Sequence, residues 1–393
     1  MPSTRSSILG LALALLPLAV ADDHPVVADD VCNCFLTNTS ESYFTNHLFY
    51  DFRNLGQYAG VPDIITSYND SGNASVTSDY FKSDAWTSIW SIQSWNNSGN
   101  RGRSGNDATI SMVNSPNNIY IEKNTDSNPQ SDTYMSFRTA RLKDFQTSAE
   151  MESVSMGYHF VSVRMFARTI GDPGACTALF TYREAEKYAD VQEADIEVLT
   201  KDPDNRIQYT NQPSFDDSGN TIDQSTQNGT VPVSWRDWAI HRLDWDSEQS
   251  VWLVDGHKVS TIKFQVPRDP SRVMINSWSD GGSWSGVMDV GNSAVLQVQW
   301  LELVFNTTDS PTTVTKRGAA DSQHAHGPQG KLARRDGDGQ CQVVCSIDSA
   351  HDFGQVVMLH NGTAPGLLLA QSRALVFWVP VFIMSAMFFH VLS

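Results

Sequence analysis

Residues 192–200 read QEADIEVLT, with Glu193, Asp195 and Glu197 at alternate positions and Ala194, Ile196 and Val198 between them. A β-strand has a side-chain period of two, so the spacing predicts a strand with its three carboxylates on one face and its apolar residues on the other. Similar patterns recur outward from it. AVLQVQWLELVF (294–305) and HFVSVRMFA (159–167) read as half-buried or core strands, and SVWLVDGHKVSTIKF (250–264) holds Asp255-Gly256 at a hairpin turn. Many short strands separated by turns, with no long helical period, predict an all-β sandwich or jelly roll over 35–305.

The 393-residue chain carries 27 Lys and Arg against 44 Asp and Glu, a formal charge of −17. That field repels a phosphate backbone and argues against a nucleic-acid partner. The start has Arg5, an apolar run from Ile8 to Val20, and the small residues Ala19 and Ala21. These features predict a secretory signal peptide over 1–21. Sequons at Asn38, Asn69, Asn73, Asn96, Asn228, Asn306 and Asn361 fit export and glycosylation.

Five cysteines fall as Cys32 and Cys34 in an N-terminal segment (22–34), a lone Cys176, and Cys341 and Cys345 in a C-terminal segment (341–373). In an oxidising compartment the terminal pairs are disulfide candidates that would join the chain ends, although four cysteines allow three connectivities and zinc is a rival ligand. Cys176, among apolar residues, reads as a buried inert thiol.

Residues 306–340 lack an apolar period and read as a disordered linker, with Lys316-Arg317 and Arg334-Arg335 as candidate processing sites. His324 and His326 are too few to hold a metal. The apolar tail 374–393 has no basic flank after it, which favours a glycolipid-anchor signal over a transmembrane helix, with Asn361 opening the candidate attachment triplet. The expected location is the cell surface or wall, anchored at the outer plasma membrane.

Three neighbouring carboxylates repel one another, and a charged edge strand that resists aggregation is the simplest account of them. Glycoside hydrolysis supplies another: one ionised carboxylate attacks the anomeric carbon while a second, its pKa raised by its surroundings, protonates the leaving oxygen. Pyranose rings stack on aromatic faces. Trp278 and Trp284, flanking Gly281-Gly282, a loop that lets a ligand approach closely, are therefore the first substrate-binding candidates, followed by Tyr182, Tyr209 and Asn211. Trp245, Trp252 and Trp300 read as core, and His241 as a structural residue inside an apolar strand.

EADIE resembles the E-x-D-x-E signature of glycoside hydrolase family 16. The blocks DWAIHRLDWDSEQSVWLVDGHKV (237–259), VPRDPSRVMINSWSDGGSWSG (266–286), PGACTALFTY (173–182) and YTNQP (209–213) fall in that family's order. The resemblance implies a concanavalin A-like β-jelly roll and a retaining hydrolase of β-1,3 or β-1,3-1,4 cell-wall glucan, with Glu193 as nucleophile, Asp195 as its helper and Glu197 as acid/base. It leaves open a transglycosylase joining glucan or chitin chains, and a non-catalytic glucan-binding lectin on the same sandwich. Ala194 stands where the family usually has Ile or Leu. The implied chemistry needs no cofactor and no metal, and a structural calcium is not legible. A monomer is expected.

Overall fold

A computed structural model describes residues 24–39, 43–68, 74–97, 107–216, 218–308 and 341–361. The signal peptide, the apolar tail, the linker from residue 309 onward and the sequons at Asn69 and Asn73 lie outside the described residues.

Two largely antiparallel sheets face each other. The acidic strand Gln192–Leu199 lies inside one of them, between Cys176–Arg183 and Arg206–Gln212. That sheet continues through Arg272–Trp278, Gln146–Ser153 and Trp90–Ile92 on one side and Thr226–Thr230 on the other. The second sheet is organised on the long strand Ser293–Thr307, which pairs with Thr133–Arg141, Tyr158–Gly171 and Asn46–Asp51. Gln146–Ser153 belongs to both sheets: its first half pairs with Met112–Asn114 and Thr133–Arg141, and its second half with Arg272–Trp278. A strand that changes sheets ties the two layers at one corner.

The interior is apolar because the alternation holds through both layers. Ala194, Ile196 and Val198 enter it from the acidic strand and meet Leu179, Ile207, Ile275, Leu243, Trp245, Trp252 and Leu296. Trp245 and Trp252 are core residues, as their strands predict. Trp300 is equally buried but on the outer side of its sheet, stacked on Phe353 at 4.6 Å. The turn at Asp255-Gly256 has φ of 49° and 76°, the left-handed pair that a two-residue hairpin requires.

The chain ends are built into the molecule. Cys32 bonds Cys345 and Cys34 bonds Cys341, joining the two terminal pairs to each other. The N-terminal and C-terminal cysteine segments, separate in the sequence reading, form one five-stranded sheet in which Cys34–Leu36 runs parallel to Val343–Ser346. Phe35, Phe44, Ile347 and Val356 pack it onto Val304 of the long strand.

Beneath that sheet lies a buried ionic network. Arg164 pairs with Glu302 at 2.7 Å and Asp348 at 3.2 Å, and Arg242 pairs with Asp244 at 2.6 Å and the same Asp348 at 2.7 Å. His47 bridges Asp29 and Glu302, at 2.8 Å each. Asp348 belongs to the C-terminal segment and supplies a second anion to both buried guanidiniums, beside Glu302 and Asp244. Asp348→Ala leaves each arginine one carboxylate and should lower unfolding stability by about 1.5–3 kcal/mol, the usual worth of hydrogen bonds to charged groups, as read by chemical denaturation. Its two carboxylate contacts push the His47 imidazole up to about 9 from 6.5, despite burial. The histidine's contribution is therefore complete below pH 6.5 and lost as pH rises through 9, and thermal melts across pH 6–10 should show that fall.

Candidate active site

On the acidic strand, Glu193, Asp195 and Glu197 point away from the core, onto the open face of their sheet. The backbone register sets their neighbours. Across one edge Glu193 faces Tyr182, Asp195 faces Phe180 and Glu197 faces Ala178; across the other they face Gln212, Thr210 and Gln208. The outer two carboxylates are half-buried, whereas Asp195 is only 2% exposed.

The three carboxylates differ in their partners. Asp195 has two side-chain partners on its face: the Gln212 amide, which favours its ionised form, and Glu193, which favours its protonated form. Its charged form has lost water and stands between two like charges, so burial, then Glu193 and Glu197, push its pKa well up. A carboxyl beside a carboxylate bonds to it only through a shared proton, and such a bond from Asp195 favours the ionised form of Glu193. Glu197 is different. Its Oε1 accepts from Trp284 Nε1 at 3.2 Å and from Cys176 Sγ at 3.3 Å. Burial nevertheless holds both glutamates above the ordinary carboxylate range. A trio of this kind retains protons near neutrality while leaving room for one negative charge, the state that acid and nucleophile chemistry needs.

Trp284 is 37% exposed and sits on a pinned loop. Asp280 Oδ1 accepts from Gly282 N and Ser285 Oγ, both at 2.9 Å, and Asp107 Oδ2 accepts from Ser283 N at 2.8 Å. Thr109 N and Ile110 N both donate to Asp280 O at 2.9 Å, and Lys201 donates to Ser283 O. Gly281-Gly282, expected to admit a ligand, instead admits the 107–110 segment. Gly281 has φ of 69°, and a Cβ there would collide with Thr109 and Ile110.

The other predicted residues divide by strand parity. Tyr182 and Trp278 are half-buried on the carboxylate face, packed against Cys176, Phe180 and Met274. Tyr209 and Asn211 do not join the site. They pair with Ile196 and Ala194 and so turn into the core. Tyr209, 1% exposed, packs on Trp252 at 5.4 Å; Asn211, fully buried, donates to Phe264 O at 3.0 Å. The residue between them, Thr210, faces the carboxylates.

His241 lies behind the sheet with Ile196 and Val198 around a small internal cavity, and burial pushes its imidazole down to about 4. It has no path to the carboxylates, as its strand position suggests. Cys176 is buried and free of disulfide, yet its thiol points at Glu197 rather than into the core. Sequence reading missed this, along with Gln208, Thr210, Gln212 and Asn276 on the same face. Once the acidic strand's facing is known, counting residues across its two hairpins finds all of them but Asn276, whose strand pairs from a distant part of the sequence.

Among the described residues no group of His, Cys, Asp or Glu is arranged to hold a metal. Asn38, Asn96, Asn228 and Asn361 are exposed, and Asn306 is half-buried with its amide donating to Tyr43 O at 3.0 Å. Asn228 pairs with Gln208 and so rises from the edge strand on the same face as the carboxylates.

Gly281→Ala tests the loop. Strained backbone and a forced shift of the 107–110 segment should cost about 1–3 kcal/mol and blue- or red-shift the fluorescence of the displaced Trp284, whereas Gly291→Ala, at an open left-handed position, should leave the emission unchanged.

The chain is similar to known proteins. The chain is 27% identical to a β-glucanase of Bacillus amyloliquefaciens over 154 residues, 37% of this chain and 58% of that protein. It is 30% identical to a β-glucanase of Brevibacillus brevis over 148 residues, 35% of this chain and 52% of that protein. The match thus spans less than two thirds of either relative. A prokaryotic β-1,3-1,4-glucanase (lichenase) from a mouse hindgut metagenome superposes with a TM-score of 0.43 at 18% identity, covering 66% of this chain and 99% of that one. The family model for glycosyl hydrolases family 16 matches residues 87–300, more than half of the sequence and all of the carboxylate site, and the chain belongs to that family.

Proposed function

We propose that the protein is a retaining endo-glycosidase of cell-wall β-glucan, acting on β-1,3 or mixed β-1,3-1,4 linkages. The observation that carries the reading is the differentiated trio: two half-buried glutamates flank a buried aspartate held between a glutamate and the Gln212 amide. A lectin on this sandwich would have no use for such a costly placement of charge.

In this mechanism Glu193, as carboxylate, attacks the anomeric carbon while Glu197 protonates the departing glycosidic oxygen. A covalent glycosyl ester forms on Glu193. Glu197, now ionised, takes a proton from water, which attacks the ester and releases the sugar with its configuration retained. Asp195 keeps a proton against Glu193, stabilising its charge before attack and again as the ester leaves. Tyr182, Trp278 and Trp284, on the same face, supply aromatic surface for pyranose rings.

The signal-like start, the exposed sequons and the apolar tail support export and attachment to the outer plasma membrane, with a monomer as the working unit. Release of the protein from cells by a phosphatidylinositol-specific phospholipase would separate a glycolipid anchor from a transmembrane helix. If a second sugar replaces water in the last step, the same site transfers chains. Labelled acceptor oligosaccharides read this directly, since longer labelled products mean transglycosylation.

Glu193→Gln keeps shape and removes the nucleophile. It should abolish turnover of β-glucan, while Glu197→Gln should lower kcat by about a hundredfold to ten-thousandfold, and both should still bind glucan in a pull-down assay. Full activity of Glu193→Gln would refute the assignment, and a wild-type chain that binds glucan but turns over none of the β-1,3, mixed-linkage, xyloglucan or chitin substrates would establish the lectin instead.

A further inference from the structure

Both donors that reach Glu197 reach the same atom. Trp284 Nε1 and Cys176 Sγ lie 3.2 Å and 3.3 Å from Oε1, one from the pinned loop above the sheet and the other from the adjacent strand. An indole N–H can only donate. The thiol stays protonated as well, because burial and the neighbouring Glu197 charge push its ionisation well above the ordinary range. Two obligatory donors make Oε1 an acceptor, so when Glu197 carries its proton the hydroxyl is at Oε2 and Oε1 is the carbonyl oxygen.

We propose that Cys176 and Trp284 form a clamp on Oε1 of Glu197 that places the catalytic proton on Oε2 and fixes the direction in which it is delivered. The proposal rests on reading Glu197 as the acid/base, and within it both clamp members are positioning residues.

The clamp acts twice in each cycle. When the glycosidic C–O bond breaks, its electron pair goes to the leaving oxygen, which takes the Oε2 proton; the O–H bonding pair stays on Glu197 as carboxylate charge. That charge spreads onto Oε1, where the two donors strengthen as it grows. In the second half Oε2 recovers a proton from the attacking water or acceptor hydroxyl, and Oε1 still holds the carboxyl plane. A thiol suits the position because its neighbours are apolar: Ala178, Phe180, Leu199 and Met274 share its cluster, and an S–H loses less on burial than a hydroxyl would.

The test uses kcat/KM on β-glucan across pH for the full chain and for Cys176→Val, Cys176→Ser, Trp284→Phe and Glu197→Gln, with a thermal melt for each. Valine keeps approximate size and removes the donor; serine restores one. Cys176→Val should lower kcat/KM about threefold to tenfold, the effect of one hydrogen bond from a weak donor. Its basic limb should move to higher pH, because losing a donor to the ionised form makes Glu197 a weaker acid. Cys176→Ser should return both toward wild type, and Trp284→Phe should move the limb the same way as valine.

A basic limb of Cys176→Val that coincides with wild type, or a serine variant displaced as far as valine, overturns the clamp. Should the valine variant fail to fold, the exposed Trp284→Phe poses the same question of Oε1, and an unmoved limb there overturns the clamp equally. Wild-type turnover by Glu197→Gln would instead overturn the reading of Glu197 itself, and the clamp with it.

Discussion

Asp195 is buried between two glutamates with a single amide, that of Gln212, to offset its charge, and this constraint shapes the rest of the site. Three charges along one pleat, with Cα atoms about 7 Å apart in succession, cannot all persist in a site stripped of water. A proton must remain, and the energetically cheapest place for it is against Glu193, where it serves two oxygens at once. Glu197 is then free to differ, and its two donors from outside the trio make it differ. Distinct roles arise from one strand because the three carboxylates have distinct neighbours.

Placement of those neighbours draws on the whole fold. The backbone register brings Cys176 and the aromatic residues beside the trio, and the corner strand Gln146–Ser153 holds that sheet to the other. The Trp284 loop is irregular and would wander without Asp107, Thr109 and Asp280, which fix it from two directions. On the far side of the sandwich, disulfides and the Arg164–Asp348–Arg242 network bind the C-terminal segment to the long strand. That end carries no catalytic group. It closes a face that would otherwise expose Trp300 and two arginines to solvent.

Strand periodicity was legible wherever one face is buried, which is why the acidic strand, the long strand and the Asp255-Gly256 hairpin appear where the pattern places them. Parity across strands was harder. Tyr209 and Asn211 looked like site residues because they are polar or aromatic and near the motif, yet pairing with Ile196 and Ala194 turns them inward. Cys176 was legible as buried but not as directed, since burial in a sequence carries no facing until the partner strand is known. The glycine pair at 281–282 was legible as a close approach; that the approaching group is the 107–110 segment depends on a contact remote in sequence. The terminal cysteines left three pairings open, and only the parallel strands that align them select one.

The proposed chemistry turns on Glu193 forming a covalent bond to sugar. Incubation with a β-glucosyl oligosaccharide fluorinated at C2 and carrying a good leaving group would slow breakdown of the ester more than its formation, and peptide mass spectrometry would locate the adduct. The account predicts one sugar per chain, on the peptide containing residues 192–200 and at Glu193, with Glu197 unmodified. A sugar on any other residue, or steady turnover of natural glucan with inverted anomeric configuration and no adduct, would contradict it.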